Sequence, residues 1–131
     1  MKDSKLKHID LIQLIINRMS QNSFMIKGWT ITIIVGLFVF LKSGNCIFDF
    51  FVYLIPIISF WFLDSYYLCQ ERLYRELYKS VISDIYTESN LDLSVNLFRN
   101  KIKYKSAIFS RTEILFYVPI TALVFIILLL R

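Results

Sequence analysis

Three runs free of charged residues, Gly28–Leu41, Phe50–Leu63 and Ile114–Leu130, decide what this chain can fold into. Water does not solvate such stretches, and they are too long for ordinary core strands. A hydrophobic content of 56% and a mean hydropathy of +0.57 lie beyond the usual soluble range. The chain therefore reads as an all-α membrane protein with three transmembrane helices. The first two runs each supply about 21 Å of helix, short of a hydrocarbon core of about 30 Å. They reach spanning length only with interfacial residues. The first extends back to Phe24, with the Lys27 ammonium snorkelling to the headgroups, and the second runs over Ile47–Cys69. The third spans unaided.

Charge placement orients these helices. Lys2, Lys5, Lys7, Arg18 and Lys27 precede the first span, and Arg72, Arg75, Lys79, Arg99, Lys101, Lys103, Lys105 and Arg111 lie between the second and third. The opposite side has only Lys42 and Arg131. Basic residues favour the cytoplasmic side, which puts the N-terminus in the cytoplasm and the C-terminus outside.

Four segments follow: 1–23, an N-terminal amphipathic cytoplasmic helix; 24–69, a transmembrane hairpin; 70–113, a cytoplasmic helix and basic loop; and 114–131, the third transmembrane helix. In the first, Ile9, Ile12, Ile15, Ile16 and Met19 recur at helical spacing. It reads as a docking helix that orients the first span, with a mobile inserting element as the alternative. In the third segment a stripe of Leu73, Leu77, Val81 and Ile85 predicts a helical stalk continuing from the second span to about Thr87. Its partner is either the N-terminal helix or a neighbouring subunit, so Leu73, Leu77 and Val81 are oligomerisation candidates. Glu71–Arg75 and Arg72–Glu76 are expected i, i+4 ion pairs. Beyond Glu88–Asp92, alternation at Leu91, Leu93, Val95 and Leu97 predicts a short strand or hairpin around Arg99–Asn100, or an irregular loop packed on the stalk. Arg99, Lys101, Lys103, Lys105 and Arg111 form a basic segment without an acid. Anionic headgroups are its expected partner, and phosphate of a nucleotide or nucleic acid the alternative.

Catalysis finds little support. Cys46 and Cys69 sit at opposite ends of the second span, which argues against an intramolecular disulfide, and His8 is the single histidine. No metal-ligand spacing, Gly-rich phosphate loop or serine with a base is present, so no metal, cofactor or enzymatic activity is expected. Asp84, Glu88 and Asp92 read as solubilising carboxylates.

Lys27 and Asp64 are the informative pair. Each flanks an uncharged run, and antiparallel spans bring them to the same cytoplasmic level, where an ion pair forms either an anchor or a gating latch. Asn17, Arg18, Asn22 and Ser23 lie near the same plane. Trp29 and Trp61 fit an interfacial aromatic belt. Pro56 and Pro119 each remove a backbone donor from a span.

The run Ile15–Ile16–Asn17–Arg18–Met19 with Asn22–Ser23 and Lys27–Gly28–Trp29 resembles a family of small bacterial multi-span membrane proteins. Phe62–Leu63–Asp64, Tyr67, Gln70–Glu71–Arg72 and Leu77–Tyr78 fit the same pattern, as does Phe109–Ser110–Arg111–Thr112. That family is similar to the membrane-spanning effectors of bacterial anti-phage systems such as CBASS and Thoeris, and to the two-span SLATT group, from which the third span departs. The resemblance implies an inner-membrane homo-oligomer that breaches the bilayer after a nucleotide or partner signal. A nucleotide ligand would bind through an oligomer interface. The alternative is an adaptor anchoring a soluble TIR-type or other defence enzyme. It marks Asn17, Arg18, Lys27, Asp64, Glu71 and Arg72 as latch or interface candidates and gives none of them a role.

Overall fold

The computed structural model describes residues 2–41, 45–83 and 93–130. Helix α1 covers Lys2–Phe40, α2 Cys46–Ile82, α3 Tyr104–Ile108 and α4 Arg111–Leu130, with a 3₁₀ turn at Asn96–Phe98. Each of α1, α2 and α4 is long and apolar enough to cross a membrane. In the most apolar window of each helix only 17%, 17% and 22% is buried, so most of this apolar surface faces outward. Val39, Phe40, Ile55, Leu115 and Leu130 are all exposed.

No break separates 1–23 from the first apolar run, because α1 is one continuous helix. Asn45 starts α2: its side-chain oxygen accepts from the amides of Ile47 (3.2 Å) and Phe48 (3.3 Å), satisfying two otherwise unpaired donors. The helix continues through Pro56 and past Cys69 until Ser83, whose amide closes the last turn on the Lys79 carbonyl. The expected continuation to Thr87, with Ile85, lies outside the described residues, as do Lys42, Asp84, Glu88, Asp92 and Arg131.

The expected strand near Arg99–Asn100 is not formed, and no strand occurs among the described residues. An isolated hairpin is marginal in water. Here the segment bends instead, sending Phe98 and Ala107 into a core on α2. In place of a strand, the described part forms the 3₁₀ turn Asn96–Phe98 and the short helix α3.

Helix α2 is central and packs against both α1 and α4. Two apolar clusters line it. One joins Ile12 of α1 to Cys69, Leu73, Leu77 and Val81 of α2 and to Phe98 and Ala107. The other joins Ile34 of α1, Tyr53 and Ile57 of α2, and Tyr117, Val124 and Leu128 of α4. Along α2 the two clusters leave a gap between Ile57 and Cys69. Asp64 sits in it.

Candidate functional site

Asp64 is fully buried, and its partners come from both flanking helices. Lys27 Nζ and Ser23 Oγ, one turn apart on α1, donate to its two carboxylate oxygens. From α4 the Tyr117 hydroxyl donates to Asp64 Oδ2 at 3.1 Å. The same Lys27 ammonium donates to Ser23 Oγ and to Glu113 Oε1 of α4, each at 3.2 Å. Lys27 retains 20% side-chain exposure, against 0% for Asp64 and 1% for Glu113. Phe116 covers the ammonium, its ring centre 5.7 Å from Nζ.

One ammonium thus meets two carboxyl groups. Glu113 Oε2 is buried and has no hydrogen-bond partner among the described residues. The cluster ties α1, α2 and α4 to one another at a single level. The other ion pairs between described residues, Arg75–Glu71 at 2.6 Å and Lys79–Glu76 at 2.7 Å, lie within α2. From this level α1 runs about 20 Å to Phe40 and α4 about 26 Å to Leu130 with no further charge.

The sequence pairs Lys27 with Asp64, and the structure brings them together with Ser23. It adds Glu113 and Tyr117, which sequence reasoning misses. Ser110 and Glu113 have the spacing of a capping box, and the Glu113 amide does donate to Ser110 Oγ at 3.4 Å. The Glu113 carboxyl goes to Lys27 instead. The usable signal is that Glu113 is the lone acid in residues 93–131, one position before the third run.

Other candidates lie elsewhere. Asn17 and Arg18 are exposed and outside the cluster. Glu71 is buried and pairs with Arg75, as its spacing predicts. Arg72 does not pair with Glu76, which Lys79 takes at i, i+3; its guanidinium donates to the Ser106 carbonyl at 3.2 Å. Leu73, Leu77 and Val81 are covered by the chain's own Ile12, Phe98 and Ala107. Trp29 is exposed, whereas Trp61 stacks on Tyr117 with ring centres 5.7 Å apart.

Arg99, Lys101, Lys103, Lys105 and Arg111 are all exposed. The segment carrying them is pinned to α2. Tyr104 Oη donates to the Phe62 carbonyl at 2.7 Å, and Trp61 Nε1 to the Ile108 carbonyl at 3.1 Å. Partial burial raises the Tyr104 phenol above its ordinary range.

Comparison with protein-family models, curated proteins and solved structures gives no match.

Proposed function

We propose that this is an inner-membrane protein of three spans, N-terminus in the cytoplasm, acting as a non-enzymatic effector of bacterial anti-phage defence. Copies assemble in the bilayer and breach it when a nucleotide or partner signal loosens the packing held at Lys27, Asp64 and Glu113. The observation that carries this reading is the cluster itself. Ionisable groups beside hydrocarbon are costly, and they mark sites of function more often than sites of mere support. Here one ammonium links all three helices, so its rearrangement would remove the polar tie they share and leave the two apolar clusters to hold them. The outward apolar surface leaves room for further copies, and the resemblance supplies the biological setting.

A second reading is an adaptor that anchors a soluble TIR-type or other defence enzyme, for which a shallow groove of about 410 Å³ lined by Gln13, Ile16, Asn17, Arg75 and Tyr78 would offer a partly polar contact surface. Dye release from proteoliposomes separates the two. Vesicles holding Asp64→Asn are expected to leak several-fold faster than vesicles holding the wild type, with cross-linked multimers in the leaking sample. Vesicles that stay sealed with both proteins would overturn the effector reading.

A further inference from the structure

We infer that the segment from Lys103 to Arg111 is a docking surface for anionic phospholipid headgroups, built at the level where the apolar surface of α2 ends. The inference rests on the three-span placement proposed above and not on any permeabilising activity. Its first support is position. The bonds from Tyr104 to the Phe62 carbonyl and from Trp61 to the Ile108 carbonyl hold α3 against the last turn of the uncharged run Phe50–Leu63. Arg72 fixes the middle of α3 through the Ser106 carbonyl and, at 3.4 Å, the Ser106 hydroxyl. Ala107 is fully buried on that side. The segment is therefore held at a set height on the helix that crosses the bilayer.

Its second support is the order of chemistry at that height. Phe62, whose carbonyl holds Tyr104, and Phe109 within the segment are exposed aromatics suited to the glycerol and upper acyl region. Lys103, Lys105 and Arg111 are exposed cations in the same short segment as Phe109. Apolar rings followed by cations match a lipid from acyl chain to phosphate. Among the described residues these cations have no acidic partner: the ion pairs there use Lys27, Arg75 and Lys79, and no acid occurs from Leu93 to Thr112. Lys101 lies on its own Phe98 ring, 5.5 Å from the centre, and serves less directly.

Trp61 touches this segment and reports on it. The protein carrying Trp29→Phe, which leaves Trp61 as the remaining tryptophan, is reconstituted in phosphatidylcholine vesicles containing a small fraction of brominated lipid. At low ionic strength, brominated phosphatidylglycerol is expected to quench Trp61 with about tenfold preference over brominated phosphatidylcholine. Adding K103Q, K105Q and R111Q should bring that preference close to one, while K103R, K105R and R111K should keep it. The retained-charge variant separates lost attraction from lost folding. Equal quenching by the two lipids, or a preference unchanged in the Gln variant, overturns the docking surface and leaves the effector reading standing. Displacement of the preference by millimolar inorganic phosphate assigns the surface to small anions and overturns the lipid assignment. Absence of quenching by either lipid overturns the docking surface together with the span placement beneath it.

Discussion

The Tyr117 hydroxyl donates to Asp64 Oδ2, the same carboxylate oxygen that receives the Lys27 ammonium. A fully buried aspartate is thereby held from both flanking helices. Removing the hydroxyl leaves Ser23 and Lys27 in place, so Tyr117→Phe is expected to lower stability by about 1.5–3 kcal/mol, the range for a hydrogen bond to a charged group. Denaturant titration in detergent micelles, followed by the fluorescence of Trp61 stacked on the ring, checks this. An unchanged midpoint would show that the hydroxyl contributes nothing to the packing.

Removing different members of the cluster has opposite consequences. Lys27→Met leaves Asp64 and Glu113 buried without their cation and is expected to cost about 3–5 kcal/mol. Glu113→Gln keeps an acceptor for Lys27 and removes the surplus carboxylate, so its stability should match or exceed the wild type. Combining Lys27→Met with Asp64→Asn and Glu113→Gln removes every charge and should recover much of the loss seen in Lys27→Met alone. The thermal midpoints of the three proteins, in the order Glu113→Gln, combined variant, Lys27→Met, test the charge imbalance directly. Glu113→Gln as the least stable of the three would refute it.

The legible part of this site is the part fixed by spacing. Lys27 and Asp64 each flank an uncharged run, and two antiparallel helices of similar length bring such ends together. Glu113 is as well placed at the start of the third run. However, a serine three residues earlier offers it a local role, and its real partner lies 86 residues away. The stripe Leu73, Leu77, Val81 shows the same limit: spacing marks a face as apolar without naming what covers it. Arg72 has a suitable acid one turn on, yet a carbonyl from α3 takes it. The strand expected beyond Asp92 fails for a related reason, since alternation needs a partner strand and this segment meets a helix instead.

The covering of that stripe leads to a third prediction. Leu77 is fully buried between α1 and the loop carrying Phe98. Leu77→Ala is expected to cost about 2–5 kcal/mol through lost transfer energy and a residual cavity. Its effect should be regional. Hydrogen exchange should speed up around Ile9–Ile16 of α1, while Ile34, Tyr53 and Tyr117 in the other cluster keep their protection. Uniformly faster exchange through all three long helices would mean that the two apolar clusters open as one unit.

The last prediction concerns the direction of the spans. Helices α1 and α2 are antiparallel, so Cys46 at the start of α2 lies at the end of the hairpin away from Lys27 and Asp64. Its thiol is exposed, with Sγ 3.2 Å from the Leu128 carbonyl near the end of α4, whereas Cys69 is buried. With the N-terminus in the cytoplasm, Cys46 faces the outside. A membrane-impermeant maleimide applied to intact spheroplasts should therefore label the wild type, and Cys46→Ser should abolish the labelling. Cys69 should react only after denaturation, because 8% exposure gives the reagent little access. Labelling of Cys46 that requires permeabilised membranes would reverse the orientation. It would also put the basic segment of the docking surface on the outer face, where the positive-inside bias does not place so many cations.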